Sequence, residues 1–87
     1  MASHMLHVYI LELENDSYYV GHTDNLRRRL MEHEQGIACS HTKKYPMKQL
    51  LWSESQPNRN AARMREIEIK GWRRKKKERL WQKVSLP

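Results

Sequence analysis

An arginine and a histidine stand four residues apart in the chain, and this pair could hold and act on a phosphate group. At about 100° per residue, Leu26, Leu30 and His33 share one face of a helix. Arg29 lies roughly 40° from His33, on the flank of that face, so the two side chains can converge on one site. A histidine that only packs at the edge of a core, with its hydrogen bonds satisfied there, is the competing interpretation.

A carboxylate in the most basic part of the chain is the second candidate. Ala62 and Ile69 align along one stripe of a helix for which Asn58 is the predicted cap. Glu66 falls about 40° from Ala62, beside that stripe. Its carboxylate could bind Mg²⁺ or Mn²⁺ as a hard oxygen ligand. It could equally form an ion pair with Lys70, four residues further on, and the sequence leaves both interpretations open.

Two tyrosines and a glycine complete the set of candidate residues. Tyr9 lies in the middle of the first predicted strand, and Tyr19 lies near the end of the second, which Gly21 closes. A phenol can take part in hydrogen bonding and in proton transfer when its neighbours adjust its pKa. A tyrosine in a strand more often serves packing, so each of these two tyrosines taken alone indicates little.

A hairpin and a helix must bring these residues together. Residues 7–13 are rich in β-branched and aromatic side chains and predict a strand. A polar turn then leads to a second short strand at residues 18–20, so the two strands form an antiparallel hairpin. Thr23 or Asp24 is the predicted N-cap of a helix that ends at Gly36.

The second half of the chain supplies one more strand and two basic helices. Residues 36–47 show no period and predict a loop, and residues 49–53 predict the third strand. A helix is predicted over residues 58–70, and Gly71 separates it from a second helix over residues 73–83.

The predicted order of elements is β-β-α-β-α-α. This order favours a single α+β domain with a three-stranded antiparallel sheet flanked by helices. A chain of 87 residues is the size of one such domain. We expect the domain to span residues 5–84, and we interpret residues 1–4 as the remnant of an expression tag.

The positive charge of the chain is concentrated in its last third. Residues 58–87 carry eleven basic and three acidic residues, whereas residues 1–57 carry six basic and seven acidic residues. A segment with this charge attracts nucleic-acid phosphates, although a solvated helical face would look the same. The predicted nucleic-acid-binding residues are Lys70, Arg73, Arg74, Lys75, Lys76 and Lys77.

The cysteine count and the hydropathy argue against other classes of protein. Cys39 is the only cysteine, so the chain forms no internal disulfide, as expected in the reducing cytoplasm. No stretch reaches the roughly 18–20 apolar residues of a membrane span, and we expect a cytoplasmic protein that does not bind membranes. Cys39, His41 and His33 could suggest zinc, but a structural zinc site needs four ligands with paired close spacings.

Four short segments share the order of a known signature. They are Val8-Tyr9-Ile10, then Tyr19-Val20-Gly21, then Asn25-Leu26 with Arg29 and His33, and finally Ala62 with Glu66, Ile69 and Lys70. Together they resemble the GIY-YIG nuclease family over nearly the whole chain. The likeness is greatest to short standalone members similar to the N-terminal domain of the excision-repair nuclease subunit. The first segment lacks the opening glycine, and Val20 replaces isoleucine in the second.

The resemblance implies hydrolysis of DNA phosphodiester bonds with one divalent metal ion, Mg²⁺ or Mn²⁺. It implies Glu66 as the metal ligand, Arg29 as a clamp on phosphate oxygens and Tyr9 as the general base. The implied catalytic residues are Tyr9, Tyr19, Arg29 and His33, with Gly21 as the position that keeps the strand end open.

The resemblance also implies DNA as the partner, in repair or recombination. Structured or damaged DNA is the expected kind of substrate, and partner proteins would supply the choice of target. The alternative function is a nucleic-acid-binding module that has the same fold and does not cut, because the basic third of the chain serves either function.

Overall fold

Strand β1 (Leu6–Leu13) forms the middle of the sheet in the computed structural model, which describes residues 5–82 of the chain. It pairs antiparallel with β2 (Tyr18–Thr23) on one side and with β3 (Met47–Gln56) on the other. The sheet order is therefore β2-β1-β3. The nearly continuous apolar and aromatic run of β1 suits a strand that is covered on both faces.

Four helices flank the sheet within the described residues, and they confirm the predicted order with one addition. Helix α1 (Leu26–Glu34) follows the hairpin, and α3 (Arg59–Lys70) and α4 (Arg74–Glu78) follow β3. The addition is α2 (Ser40–Lys44), which lies in the segment predicted to be a loop. A helix of five residues is too short to show a helical period, and α2 has no side-chain N-cap from which the sequence could have predicted its start.

Parts of three predictions fall outside the described residues. They are the tag remnant at residues 1–4 and the ends of the predicted domain and of the second basic helix, at residues 83–84. Within residues 5–82, none of the helices has the length and apolar character needed to cross a membrane.

The N-cap of helix α1 lies two residues after Thr23 and one residue after Asp24, the two predicted caps. The side-chain oxygen of Asn25 accepts a hydrogen bond from the backbone N–H of Arg28 at 3.0 Å, which makes Asn25 the N-cap. The cap predicted at Thr23 or Asp24 was wrong because Thr23 still belongs to β2. Its hydroxyl instead accepts a hydrogen bond from the Asn25 N–H at 3.1 Å.

Strand β3 extends beyond the predicted residues 49–53 at both ends. The extra residues other than Met47 are polar, and all of them follow β1 through ladder pairing from Leu6↔Gln56 to Leu13↔Met47. At one end the side-chain amide of Gln49 donates a hydrogen bond of 2.6 Å to the carboxylate of Glu12 on β1. Pairing with a neighbouring strand, which local composition does not reveal, therefore sets the length of β3.

Alternate side chains of β1 enter two different cores, one on each face of the sheet. One core joins even-numbered β1 residues to β2 and to helix α3, and its buried members are Leu6, Val8, Ile10, Val20, Ala62 and Ile69. The other joins odd-numbered β1 residues to helix α1 and its neighbours, and it contains Tyr9, Leu11, Leu13, Tyr19, Leu26, Leu30, Tyr45 and Met47. Helices α1 and α3 therefore lie on opposite faces of the sheet.

The N-cap of α3 should contribute measurably to the stability of the domain. The side chain of Asn58 accepts a hydrogen bond of 2.8 Å from the Ala61 N–H, so Asn58→Ala should lower the free energy of unfolding by about 1 kcal/mol. Asn60→Ala, an exposed change in the same turn, is the control and should stay within about 0.5 kcal/mol of the parent. Urea unfolding followed by circular dichroism measures both; equal losses would contradict the cap.

Candidate active site

The side chain of Tyr9 crosses over the neighbouring strand at Gly21. The two residues are partners in the β1–β2 ladder. A Cβ atom built on Gly21 would lie 2.6 Å from the Tyr9 hydroxyl oxygen and 3.1 Å from a ring carbon of Tyr19. Both distances are shorter than ordinary contacts, so only glycine leaves room for the two phenols at this position.

The hydroxyl of Tyr9 begins a buried chain of hydrogen bonds. Tyr9 Oη lies 2.8 Å from His33 Nε2, and His33 Nδ1 lies 2.9 Å from Thr42 Oγ1. All three residues are 0% exposed. The histidine interpreted from the sequence as either a site residue or a satisfied core residue thus has both ring nitrogens bonded.

Thr42 was missed by the sequence reasoning. It lies on α2, the helix that the loop prediction overlooked, and no periodic pattern marks it. Its neighbour His41 was considered only as a zinc ligand. The imidazole of His41 stacks on the ring of Tyr19, with the centroids 5.9 Å apart, and so helps to cover this phenol.

Burial keeps Tyr9 and His33 uncharged at neutral pH. It raises the pKa of Tyr9 to about 12, against the opposing effect of the nearby Arg29 charge. Burial and the same arginine lower the pKa of His33 to about 4. Burial and a hydrogen bond with Cys39 raise the pKa of Tyr19. The interior of the site is therefore a set of neutral hydrogen-bonding groups beside one cation.

That cation, Arg29, has a buried donor that is not satisfied. Its Nε atom lies 3.1 Å from Oε1 of Glu32, which gives an ion pair within α1. The N–H direction does not suit a hydrogen bond, however, and Nε has no acceptor among the described residues. The side chain is 32% exposed, so one part of the guanidinium faces Tyr9 and His33 while another part reaches solvent.

Glu66 approaches from the opposite face of the sheet. Its Oε1 atom accepts a hydrogen bond of 2.6 Å from His22 Nδ1, and its Oε2 atom lies 2.5 Å from Lys70 Nζ. Burial opposes ionisation of this carboxyl, but the bonds with Lys70 and His22 prevail and lower its pKa. The ion pair with Lys70, one of the two interpretations left open by the sequence, is present. It also gives the predicted nucleic-acid-binding residue Lys70 a partner inside the protein.

The two halves of the site meet around the free edge of β2. Successive residues of a strand point to opposite faces, so Gly21 lies against Tyr9 while His22 reaches Glu66. The negative charge of Glu66 helps to raise the pKa of both Tyr9 and Tyr19, so its electrostatic field reaches both phenols. His22 was not a sequence candidate, and only its position next to Gly21 could have suggested it.

Glu66 suits a divalent cation that is held by one carboxylate and by water molecules, rather than by several protein ligands. Its carboxylate is ionised, and its side chain is 16% exposed. Mg²⁺ often binds through one or two carboxylates and keeps several of its waters. Within residues 5–82 no group of three or more His, Cys, Asp or Glu residues converges closely enough to hold a metal ion. A cation at Glu66 would have to share Oε2 with Lys70 or displace it.

The cations near the end of the described chain have two kinds of environment. The guanidinium of Arg74 lies 3.8 Å from the ring centroid of Tyr18 and 3.4 Å from the carboxylate of Glu78, which accepts a hydrogen bond from the Tyr18 hydroxyl. Lys76 lies over the ring of Trp72 at 4.5 Å. Arg74 and Lys76 therefore help to hold α4 on the domain. The other predicted phosphate contacts on this segment are Arg73, Lys75 and Lys77.

Comparisons with known proteins identify the family to which this fold belongs. The protein-family model described as the GIY-YIG catalytic domain matches residues 5–79. A UPF0213 protein of Natronomonas pharaonis is 38% identical over 74 residues, which cover 85% of this chain and 87% of that protein. A UPF0213 protein of Haloquadratum walsbyi is 39% identical over 74 residues, with 85% and 83% covered.

A solved structure matches as well. The solution NMR structure of a UPF0213 protein from Bacillus halodurans has a TM-score of 0.55 and 34% sequence identity to this chain. The alignment covers 87% of this chain and 81% of that structure. Sequence and fold therefore point to the same group of proteins.

The contact between Gly21 and Tyr9 predicts unequal effects of two glycine substitutions. Gly21→Ala should displace the Tyr9 phenol, break its hydrogen bond to His33 and lower the free energy of unfolding by about 1–3 kcal/mol. Gly71→Ala is the control, because its backbone φ is −78° and an added Cβ would lie 3.5 Å from its nearest neighbour. This change should be neutral or stabilising by up to about 1 kcal/mol. Urea unfolding measures the free energy of unfolding of both variants, and equal losses of stability would contradict the predicted role of Gly21.

Proposed function

This chain belongs to the GIY-YIG family, whose fold is that of nucleases, and on this premise we propose that it is a divalent-metal-dependent endonuclease that hydrolyses DNA phosphodiester bonds. The observation that carries the proposal is the buried hydrogen bond between Tyr9 and His33 beside an unsatisfied donor of Arg29. A phosphate oxygen is the kind of acceptor that such a donor lacks.

Arg29 is proposed to bind the scissile phosphate. Its guanidinium is planar and always charged, and it can hold two non-bridging oxygens at once. The ion pair with Glu32 is within the same helix, so it orients the side chain without closing the outward part of the fork. A bound phosphate would also satisfy the Nε donor that has no acceptor among the described residues.

Tyr9 is proposed to accept the proton of the attacking water. Because its pKa is about 12, Tyr9 is protonated at neutral pH. It must therefore release its own proton as it accepts the proton of the water. The Nε2 atom of His33, 2.8 Å away, is placed to take that proton. A phosphate on Arg29 would offset the positive charge that helps to lower the pKa of His33, and this would make the histidine a better acceptor.

Tyr19 and Gly21 are proposed to shape the space around this pair. Tyr19 is only partly buried, so it is the more exposed of the two tyrosines and suits the role of positioning the phosphate or its water. Tyr9 is covered in the free protein, so the attacking water gains access when surrounding side chains move on substrate binding. Gly21 keeps the backbone out of this space.

Glu66 is proposed as the ligand of one Mg²⁺ or Mn²⁺ ion. His22 would keep the carboxylate oriented through its hydrogen bond to Oε1. A divalent ion bound there would neutralise charge on the phosphate and stabilise the leaving oxygen. Lys70 would then have to share Oε2 or turn outward, where it could contact the DNA backbone as the sequence predicted.

DNA repair or recombination is the process that we propose for this activity. The similarity to the excision-repair nuclease subunit supports it, as does the basic end of the chain, which suits any DNA backbone. Structured or damaged DNA as the substrate, partner proteins that supply target choice, and a cytoplasmic location stay predictions.

A non-catalytic nucleic-acid-binding module is the second candidate function. Two observations favour it: Tyr9 is fully buried in the free protein, and the ammonium of Lys70 already contacts the carboxylate of Glu66. A plasmid-nicking assay with and without Mg²⁺ or Mn²⁺ separates the two functions. Binding without any metal-dependent nicking would establish the module and overturn the nuclease.

The nuclease proposal predicts which residues the cleavage rate depends on. Glu66→Gln removes the negative charge and Arg29→Ala removes the phosphate clamp, so each should slow metal-dependent nicking by about 10²-fold or more. Arg27→Ala is the control, because Arg27 is exposed on the same helix as Arg29 and should change the rate only a few-fold. Initial nicking rates on supercoiled plasmid measure the effect. Parent-like rates in both test variants would refute the assignment.

The basic segment predicts a change in the salt dependence of DNA binding. Replacing Arg73, Lys75 and Lys77 together by Gln should reduce the slope of log K against log salt by about 0.9 for each phosphate of the duplex that these side chains neutralise. Lys48→Gln is the control, since this lysine pairs with Asp16 at 3.6 Å, and its slope should equal that of the parent. Fluorescence anisotropy over a salt series measures the slopes. An unchanged slope in the triple variant would exclude these residues as phosphate contacts.

A further inference from the structure

The hydrogen-bond chain through His33 restricts where the protons lie. The hydroxyls of Tyr9 and Thr42 each have one proton to donate, and a neutral imidazole has one N–H and one acceptor nitrogen. The Thr42 hydroxyl lies 2.9 Å from His33 Nδ1 and 3.4 Å from both the backbone carbonyl and the thiol of Cys39. The two tautomers of His33 can therefore be compared by counting satisfied donors.

With the proton on Nδ1, every donor of the chain has an acceptor. Tyr9 O–H donates to Nε2, Nδ1–H donates to Thr42 Oγ1, and the Thr42 hydroxyl donates to the Cys39 carbonyl, which can only accept. This last bond is the one that a threonine in a helix commonly makes with the carbonyl three or four residues earlier. The three bonds run in one direction from Tyr9 to the backbone of the α2 N-cap.

With the proton on Nε2, one buried donor is left unsatisfied. His33 Nε2–H would donate to the Tyr9 oxygen, and the Thr42 hydroxyl would have to turn towards Nδ1. The Tyr9 O–H would then have no hydrogen-bond acceptor among residues 5–82, because His33 is the only bonded partner in that range that could accept, and the nearby Arg29 guanidinium can only donate. A buried hydroxyl without an acceptor is costly, and a phenol is a better donor than acceptor.

We propose that His33 is held as the Nδ1–H tautomer, in which Nε2 is free to accept the proton of Tyr9, and that Thr42 is a positioning residue that accepts the Nδ1–H bond and so holds the ring in place. The role in catalysis rests on the proposed nuclease function, whereas the tautomer does not. Helix α2 then has a specific purpose, which is to bring one hydroxyl to the far side of the imidazole. A valine at this position would have the same shape and could not accept the Nδ1–H bond.

The proton balance of the proposed reaction depends on this tautomer. One O–H bond of the attacking water breaks, its oxygen bonds to phosphorus, and the proton goes to the Tyr9 oxygen. The original Tyr9 proton forms a new N–H bond at Nε2, which leaves an imidazolium whose Nδ1–H still donates to Thr42. The electron pair of the broken P–O bond goes to the leaving oxygen, which takes a proton from a solvent water, and the hydroxide so formed is neutralised when the imidazolium releases its extra proton to solvent. The opposite tautomer has no lone pair on Nε2 to begin this transfer.

The parent protein alone provides the first test. Nitrogen-15 and carbon-13 NMR of labelled protein at neutral pH distinguishes the two tautomers of His33 by its ring chemical shifts. We expect the Nδ1–H form. A ring that carries its proton on Nε2 would overturn the inference, and no substitution is needed to see it.

Three variants test whether Thr42 holds the ring. Thr42→Val leaves the His33 Nδ1–H without an acceptor, so it should change the chemical shifts of Nδ1 and slow nicking by about 10²-fold, and Thr42→Ser should restore both properties. Ser40→Ala removes an exposed hydroxyl from the same helix and should leave the His33 signals unchanged. Parent-like Nδ1 signals in folded Thr42→Val, checked by circular dichroism, would refute the role of Thr42.

The tautomer and the nuclease function can fail separately. If the parent protein does not cleave DNA with either metal, the proposed function is wrong, but the ring signals still decide which tautomer His33 adopts and whether Thr42 accepts its Nδ1–H. If the parent cleaves and the Thr42→Val variant has changed signals but an unchanged rate and pH profile, the positioning role in catalysis is wrong.

Discussion

The close approach of the Tyr9 phenol to the backbone of Gly21 is the contact on which the candidate site depends. Because a side chain at position 21 would occupy the space of the hydroxyl, this one glycine lets a residue of the central strand reach across to the sheet edge. From there the hydroxyl bonds to His33 on α1, and the other ring nitrogen of His33 bonds to Thr42 on α2. Three elements are thus held together by polar contacts inside a largely apolar layer, where each bond resists exchange with water.

The electrostatic design of the site separates neutral groups from charged ones. Tyr9 and His33 are buried and uncharged at neutral pH, whereas Arg29 and Glu66 are charged and keep some contact with solvent. The cation comes from α1 on one face of the sheet and the carboxylate from α3 on the other. This division suits a phosphate and a metal ion that arrive from solvent. The phosphate would meet Arg29 and the metal ion would meet Glu66, while the hydrogen-bonded pair of Tyr9 and His33 stays buried.

The basic end of the chain shows how one residue type serves two purposes. Arg74 and Lys76 lie on the rings of Tyr18 and Trp72, where they help to fix α4 against a small domain whose hydrophobic core is limited in size. Cations of this kind contribute to the field of the surface while they stabilise the fold. Counting positive charges in a sequence therefore overestimates the number that are free to bind a phosphate backbone.

The sequence alone determined the α+β class, the antiparallel hairpin, the helix stripes and the cap at Asn58, because these follow from local composition and from helical spacing. It missed α2, and with it Thr42, because five residues cannot display a period. It also could not show that Glu66 bonds to His22 as well as to Lys70, since residues 22 and 66 meet only when α3 packs over β2. Helices, strands and caps depend on residues that are near one another in the sequence. Protonation states and partners across the sheet depend on burial and on contacts that only the folded chain creates.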